Sequence, residues 1–358
     1  AYEFLRHLEH ILQMENGLQT HTVPLEPEKR KLIARRMSFT DPEVFENKLI
    51  FHSGNVNRIF KRVFGGENLL QKPDFEDKTA EIIENKDINN FEESEIRSEK
   101  SENRFYQPII SSLEKSDLDK KLSKTLLKTL EKLSETSPHF AEMLTANPSL
   151  IKNLPNPKTD FPERNYRDIL LAAIQNENDF AHRIAVLRKI WSGLFLEIIV
   201  FDVFEKLSLK AAKKLQTELA EASLEAAIFI TRSELENRYA RKFPRFTFSV
   251  LGLGKLGGRG MDYGSDMDLV LIFDDTNGEI FADNPEIVPS VFYAKAVEIF
   301  VTAISAMTRE GHLYRVDLRL RPDGKNGATS IGKNAFLSYL ENRSAIWEWL
   351  AYVKIRGV

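Results

Sequence analysis

The sequence predicts an α+β protein in which a mostly α-helical bundle precedes a small mixed sheet with helices. Three observations carry this. Apolar residues recur with helical period from Phe105 to about Tyr239. The stretch Phe246 to Phe273, FTFSVLGLGKLGGRGMDYGSDMDLVLIF, reads as strand, glycine-dense turn and acidic strand. The stretch His312 to Arg321, HLYRVDLRLR, alternates with the period-two pattern of a strand.

A chain of 358 residues is longer than one hydrophobic core usually spans, so more than one domain is expected. The hydrophobic share, 42%, suffices for real cores. Fifty Lys and Arg against 53 Asp and Glu give a net charge of -3, which argues against a nucleic-acid-binding or anionic-membrane surface. With no cysteine, disulfides, thiolate catalysis and Cys-type zinc sites are excluded, and a cytoplasmic location is expected. Of the seven histidines only His7 and His10 lie at helical spacing, and without a ligand set around them they read as surface or packing residues. No start resembles a signal peptide, and the most apolar stretch, Leu194 to Phe204, is too short to span a bilayer and carries Glu197 and Asp202. The start at Ala1 and the stop at Val358 directly after a helical pattern suggest a piece of a longer protein.

Taken in order, Phe4, Leu8, Ile11 and Met14 mark an amphipathic helix from Tyr2 to Met14. A second helix is expected from Pro27 to about Met37. Thr40-Asp41-Pro42-Glu43 announces a third through Phe45, Leu49, Val56, Phe60 and Val63, stopping at Gly65-Gly66. Between Gly66 and Arg104 charged and polar residues dominate, so a flexible acidic linker is expected there. In the bundle, Ser137-Pro138 and Asn147-Pro148 read as helix starts, the proline-rich residues 151–168 as a connection, and Asp179 to Phe204 and Ser208 to Arg238 as long buried helices. After the acidic strand, a polar loop from Asp275 to Glu286 leads to a helix from Val288 to Met307 packing through Val291, Ala294, Val297, Phe300 and Ile304. A last helix is expected from Lys333 to Arg356, with Trp347, Trp349 and Leu350 for packing. The resulting organisation is 1–65 helical, 66–104 linker, 105–243 helical bundle and 244–358 sheet domain.

The chemistry concentrates in the two strands. In an extended chain Asp266 and Asp268 share a face with Cα atoms roughly 6.6 Å apart. Such a pair suits two Mg²⁺ ions of the kind used in nucleotidyl transfer, although a solvated acidic strand end has the same pattern. In the second strand the odd positions place Asp317 among Arg315, Arg319 and Arg321, where guanidinium groups match phosphate oxygens. By itself that face reads as solvated cross-strand ion pairs. Together with the first pair it offers a third carboxylate.

Several motifs now resemble one family. They are Gly252-Leu253-Gly254-Lys255-Leu256-Gly257-Gly258, Ser265-Asp266-Met267-Asp268-Leu269, Arg315-Val316-Asp317-Leu318-Arg319-Leu320-Arg321-Pro322 with Gly324, and Trp347-Glu348 with Lys354 and Arg356. In this order they are similar to the bifunctional glutamine synthetase adenylyltransferase/adenylyl-removing enzymes, polymerase-β-like nucleotidyltransferases with a mixed sheet. Leu187-Arg188-Lys189 and Leu219-Ala220-Glu221-Ala222 resemble the family's preceding bundle. Tyr2-Glu3-Phe4-Leu5-Arg6, Glu9-His10 and Gln19-Thr20-His21-Thr22-Val23-Pro24 resemble the helical tail of its first catalytic half.

The resemblance implies AMP transfer from ATP to a tyrosine of glutamine synthetase, with glutamine synthetase as partner and a PII-type signal protein as regulator. Order along the chain favours attachment over phosphorolytic removal of AMP, and transfer to another acceptor is a third reading. The implied catalytic and metal residues are Asp266, Asp268 and Asp317, holding two Mg²⁺ ions. The implied ATP-binding residues are Gly254, Lys255, Gly257, Gly258, Ser265, Arg319 and Arg321. Gly260 departs from the glutamate common in the family, and Lys354 and Arg356 at the end of the last expected helix read either as phosphate contacts or as simple partners of the helix dipole.

Overall fold

The computed structural model describes residues 1–16, 20, 22–64, 105–116, 122–243, 246–274, 287–308 and 311–358. The expected linker, the polar loop 275–286 and the Gly65-Gly66 stop lie outside these residues. Two compact units are formed, one from Ala1–Leu8 with Val23–Arg104 and the other from Glu9–Thr22 with Phe105–Val358.

In the smaller unit, helix α1 (Tyr2–Asn16) supplies its first turns, followed by α2 (Pro27–Arg36) and α3 (Pro42–Phe64). The ring of Phe4 lies 6.2 Å from Phe39 and from Phe45, and Arg30 binds the Glu46 carboxylate with Nε at 2.6 Å. These contacts close α2 onto α3. The far half of α3 leaves Ile50, Phe51, Ile59, Phe60 and Val63 exposed, so its apolar stripe is longer than the surface it buries in this unit.

In the larger unit the helical layer follows its caps. The helices are α4 (Tyr106–Lys115), α5 (Lys124–Thr136), α6 (Pro138–Ala146), α7 (Tyr166–Ile174), α8 (Phe180–Val203) and α9 (Leu209–Arg238). Ser123, Ser137, Asn165, Asp179 and Ser208 each accept a backbone N–H of the first turn, satisfying donors that the helix itself leaves open. Asn147-Pro148 opens only a 3-10 turn, Pro148–Asn153, because the Asn147 side chain makes no capping bond. α8 is apolar on several faces. Leu187 and Trp191 join the main core, whereas Leu196, Ile199 and Val200 join a second core with α4 to α6.

The sheet contains β1 (Phe248–Gly252), β2 (Met267–Phe273), β3 (Val316–Asp317), β4 (Ile331–Gly332) and β5 (Arg356–Gly357). β1 runs antiparallel to β2 and to β5, while β3 and β4 run parallel to opposite ends of one edge of β2. Between β1 and β2 lies one helical turn, α10 (Gly254–Gly257). After β2 comes α11 (Pro289–Ser305), and around β4 and β5 lie α12 (Lys333–Asn342) and α13 (Ile346–Tyr352). One sheet face packs on α9 and α11 through Val250, Met267, Leu269 and Leu271, and the other on Phe336 and Tyr352 through Val270 and Leu253.

Four expectations are corrected. The strand from His312 to Arg321 shrinks to Val316–Asp317: Leu313 and Tyr314 donate their N–H groups to Ile304 O and Leu313 is buried, while a turn begins at Arg319. On α11, Val291 and Ala294 are exposed, and the buried stripe runs instead through Phe292, Tyr293, Ala296, Val297 and Phe300. The last helix is broken, because Arg343 and Ser344 both return their N–H groups to Tyr339 O and the Glu348 carboxylate accepts from Ala345 N at 2.7 Å, starting a new helix. Consequently Trp347 (59% exposed), Trp349 (51%) and Leu350 (70%) face solvent. Among the described residues no helix is long and apolar enough to cross a membrane.

Candidate active site

Side chains alternate along β2. Met267 and Leu269 are buried under the helices, so Asp266 and Asp268 turn to the other face, where they sit half-buried ahead of Val270. The parallel register places Asp317 opposite Asp268. The strand pair thus brings together the three carboxylates that the sequence singled out.

Their electrostatics are unequal. Burial first, then the neighbouring charges of Asp317 and Asp266, push the Asp268 carboxyl above its usual range. Asp317 is held below its usual range by Arg319, whose Nε lies 3.0 and 2.7 Å from its two oxygens and whose backbone N–H donates at 2.8 Å. Asp266 Oδ1 is buried without a hydrogen-bond partner. An orphaned carboxylate oxygen beside a second carboxylate that burial disfavours is a donor set fitted to a hard divalent cation. Among the described residues no three acidic or histidine side chains form a ready metal cage, and Asp317 is engaged by Arg319.

The glycine turn is built against the same carboxylates. Leu253 N donates to Asp268 O at 2.9 Å, and Gly254 has φ +53, the left-handed region that favours glycine. A Cβ at Gly254 would lie 2.2 Å from Asp268 Oδ2. The backbone therefore passes directly over the Asp268 carboxylate. At Gly257 a Cβ would lie 2.2 Å from Lys354 O and 2.7 Å from Gly252 O, so this glycine admits the chain around β5. At Gly260 a Cβ would meet nothing nearer than 4.0 Å, so the structure leaves room for a side chain there.

The remaining candidates point elsewhere. Gly257 and Gly258 donate their N–H groups to Leu253 O and Gly254 O within the turn. Lys255 Nζ lies 3.1 Å from Glu9 Oε1 and 3.2 Å from Asp262 Oδ2. Ser265 is buried, its Oγ accepting from Asp262 N at 3.1 Å. Arg321 donates to the carbonyls of Leu318, Lys325 and Gly327, and Arg356 to those of Leu256 and Gly257 with Glu221 beside it. These side chains brace the turns around the site.

Sequence reasoning missed a buried ionic cluster beneath the glycine turn. His10, read as a surface or packing residue, is 2% exposed, with Nε2 2.9 Å from Asp202 Oδ2 and Nδ1 3.5 Å from Asp262 Oδ1. Lys213 Nζ reaches Asp262 Oδ1 at 2.5 Å, and Tyr263 Oη donates to Asp202 Oδ2 at 2.7 Å. The available signal was an Asp between two glycines of the same motif. Its partners lie far away in sequence.

Comparison with known proteins bears on this arrangement. Residues 127–358 match the family model for glutamate-ammonia ligase adenylyltransferase, and residues 1–64 match that for GlnD PII-uridylyltransferase. The whole chain aligns with the bifunctional glutamine synthetase adenylyltransferase/adenylyl-removing enzyme of Thioalkalivibrio sulfidiphilus, 28% identical over 439 residues, and with that of Mesorhizobium japonicum, 25% identical over 410. It spans 44% and 41% of those proteins' lengths. With its acidic β2–β3 pair and glycine turn inside the matched region, the chain belongs to the glutamate-ammonia ligase adenylyltransferase family.

Proposed function

We propose that this chain transfers AMP from ATP to a tyrosine hydroxyl of glutamine synthetase, forming a tyrosyl O–P bond at the α-phosphorus and releasing pyrophosphate. The observation that carries the reading is the β2–β3 register, which sets Asp317 opposite Asp268 beside the unpartnered Asp266 Oδ1. The names of its relatives support glutamine synthetase as acceptor, and we infer a PII-type protein as regulator. We place the reaction in the cytoplasm.

Asp266, Asp268 and Asp317 would hold two Mg²⁺ ions, which when bound neutralise the triphosphate and lower the hydroxyl's pKa. The chain's own residues do the rest. Gly254, lacking a side chain, lets the backbone close over Asp268 and leaves its carboxylate facing the nucleotide. Arg319, two-thirds exposed and released from Asp317, neutralises charge on the leaving pyrophosphate. Arg321 and Arg356 keep the two flanking turns in place by their carbonyl contacts.

Incubation with ATP labelled in the adenylyl group, Mg²⁺ and glutamine synthetase should label the synthetase. Label appearing only as ADP released from adenylylated synthetase with phosphate would assign the removal direction instead, and the absence of both activities overturns the reading. Gly254→Ala should reduce transfer at least about tenfold with a melting-temperature loss of a few degrees, since a left-handed alanine costs roughly 1–3 kcal/mol and its methyl displaces the Asp268 carboxylate. Parallel rates and thermal melts check this. Unchanged transfer would mean the turn stands clear of the reacting groups.

A further inference from the structure

Beneath the glycine turn, six side chains of opposite charge pack together. His10, Lys213 and Lys255 face Glu9, Asp202 and Asp262, so three cations meet three carboxylates. His10 and Asp262 are 2% and 4% exposed. The six come from five segments: Glu9 and His10 from α1, Asp202 from α8, Lys213 from α9, Lys255 from α10 and Asp262 from the loop before β2. Tyr263 also faces His10, with ring centroids 5.2 Å apart, and donates to Asp202.

The cluster is wired to the acidic strand. Lys255 and Asp262 clasp the two ends of the turn between them. Asp262 N donates to Ser265 Oγ and Ser265 N to Asp262 O at 3.1 Å each, and the next residue is Asp266. A proton lost from His10 leaves three carboxylates against two ammonium groups in a buried space, and two of those carboxylates then face each other across a neutral ring. Such an imbalance is relieved by opening the loop to water.

We propose that His10 is a positioning residue of the transfer site, its imidazolium tying Asp202 to Asp262 and thereby fixing the loop that carries Ser265 and Asp266. The functional consequence rests on the adenylyl-transfer reading, whereas the structural one does not.

Burial alone would lower the His10 pKa, but the Asp202 carboxylate, which accepts from the ring, and the neighbouring Asp262 carboxylate outweigh it and raise the pKa to about 9. Because that exceeds the unfolded value of 6.5, the stabilisation is complete below about 6.5 and is lost as pH rises through about 9. Burial and Asp202 push the Tyr263 hydroxyl well above its usual range, so it stays neutral across this window.

Amide hydrogen exchange on the full chain, corrected for intrinsic rates, tests the proposal. In His10→Gln at neutral pH, amides of residues 256–266 should exchange about tenfold faster or more, while those of α7 keep their protection. In the parent chain loop protection should fall between pH 7 and 9.5 toward the variant's value, and the variant should be flat over that range. AMP transfer by the parent should decline over the same interval, and His10→Gln should start low and lose its pH dependence there. Loop protection indifferent both to the substitution and to pH overturns the proposal. If His10→Gln also loses α7 protection it has unfolded, and the parent's pH series then decides alone. Absence of transfer by the parent overturns the adenylyl reading, and the exchange result still stands.

Discussion

Replacing Asp268 with asparagine is expected to abolish AMP transfer, with a loss of at least about 10²–10³-fold, while leaving the chain as stable as the parent or more so. The two halves of this result have one cause. Asp268 is half-buried, stands opposite Asp317 in register and follows Asp266, and its carboxyl is pushed up first by burial and then by those two charges. A carboxyl whose folded pKa lies above its unfolded value is penalised when ionised, and the penalty is relieved as pH falls through the folded pKa. Asparagine keeps the size and removes the charge. Label transfer and urea melts at pH 7 and pH 5 check both parts: the parent should gain more stability on acidification than the variant. Transfer that survives the substitution would remove Asp268 from the reacting machinery, and a clear loss of stability would mean that its charge is compensated in the fold.

The same residues show what was legible in the sequence. Asp266 and Asp268 could be placed on one strand face because alternation is a local property, and Met267 and Leu269 beside them are buried as that alternation requires. The long helices were legible for the same reason, since Asp179 and Ser208 are caps within three residues of the N–H groups that they accept. Lys255 was legible as a residue of the glycine turn, but not its destination: Glu9 lies 246 positions away in the chain. Alternation from His312 to Arg321 recorded side-chain character without recording which backbone groups find a strand partner; Val316 and Asp317 pair with β2, and Arg315 O accepts from Met267 N. Trp347 and Trp349 looked like core because they are large and apolar. The helix that carries them is restarted by Glu348, whose own carboxylate is buried against Tyr339, and the tryptophans turn outward.

Arg188→Met should destabilise the larger unit by about 3–5 kcal/mol, lowering its melting temperature by roughly 6–20 °C. Arg188 resembled a family feature in the sequence, and the structure explains its place. It is fully buried on α8 and makes charge-assisted bonds to backbone oxygens: Nε to Gly311 O at 3.0 Å, one terminal nitrogen to Ala306 O at 2.6 Å and Thr302 O at 3.4 Å, the other to Ile184 O at 3.2 Å. Thr302 and Ala306 lie at the end of α11, where the helix dipole is negative; Thr302 O also accepts the N–H of Ala306, the C-cap residue. Gly311, with φ +93, begins the return toward β3. Methionine fills most of the volume but removes four charge-assisted bonds at once, the short one to Ala306 O included, which is why the cost exceeds that of an ordinary core substitution. Arg188→Lys should recover only part of the loss, because one ammonium cannot span carbonyls on both sides as the guanidinium fork does. Denaturant melts of the three chains decide the matter, and a penalty under about 1 kcal/mol for methionine would show that water or local rearrangement satisfies the carbonyls instead. The same contact bears on the site. The segment that Arg188 pins leads five residues later to Val316, so slack at Gly311 loosens the register that holds Asp317 opposite Asp268, and transfer by the folded fraction of Arg188→Met should fall as well.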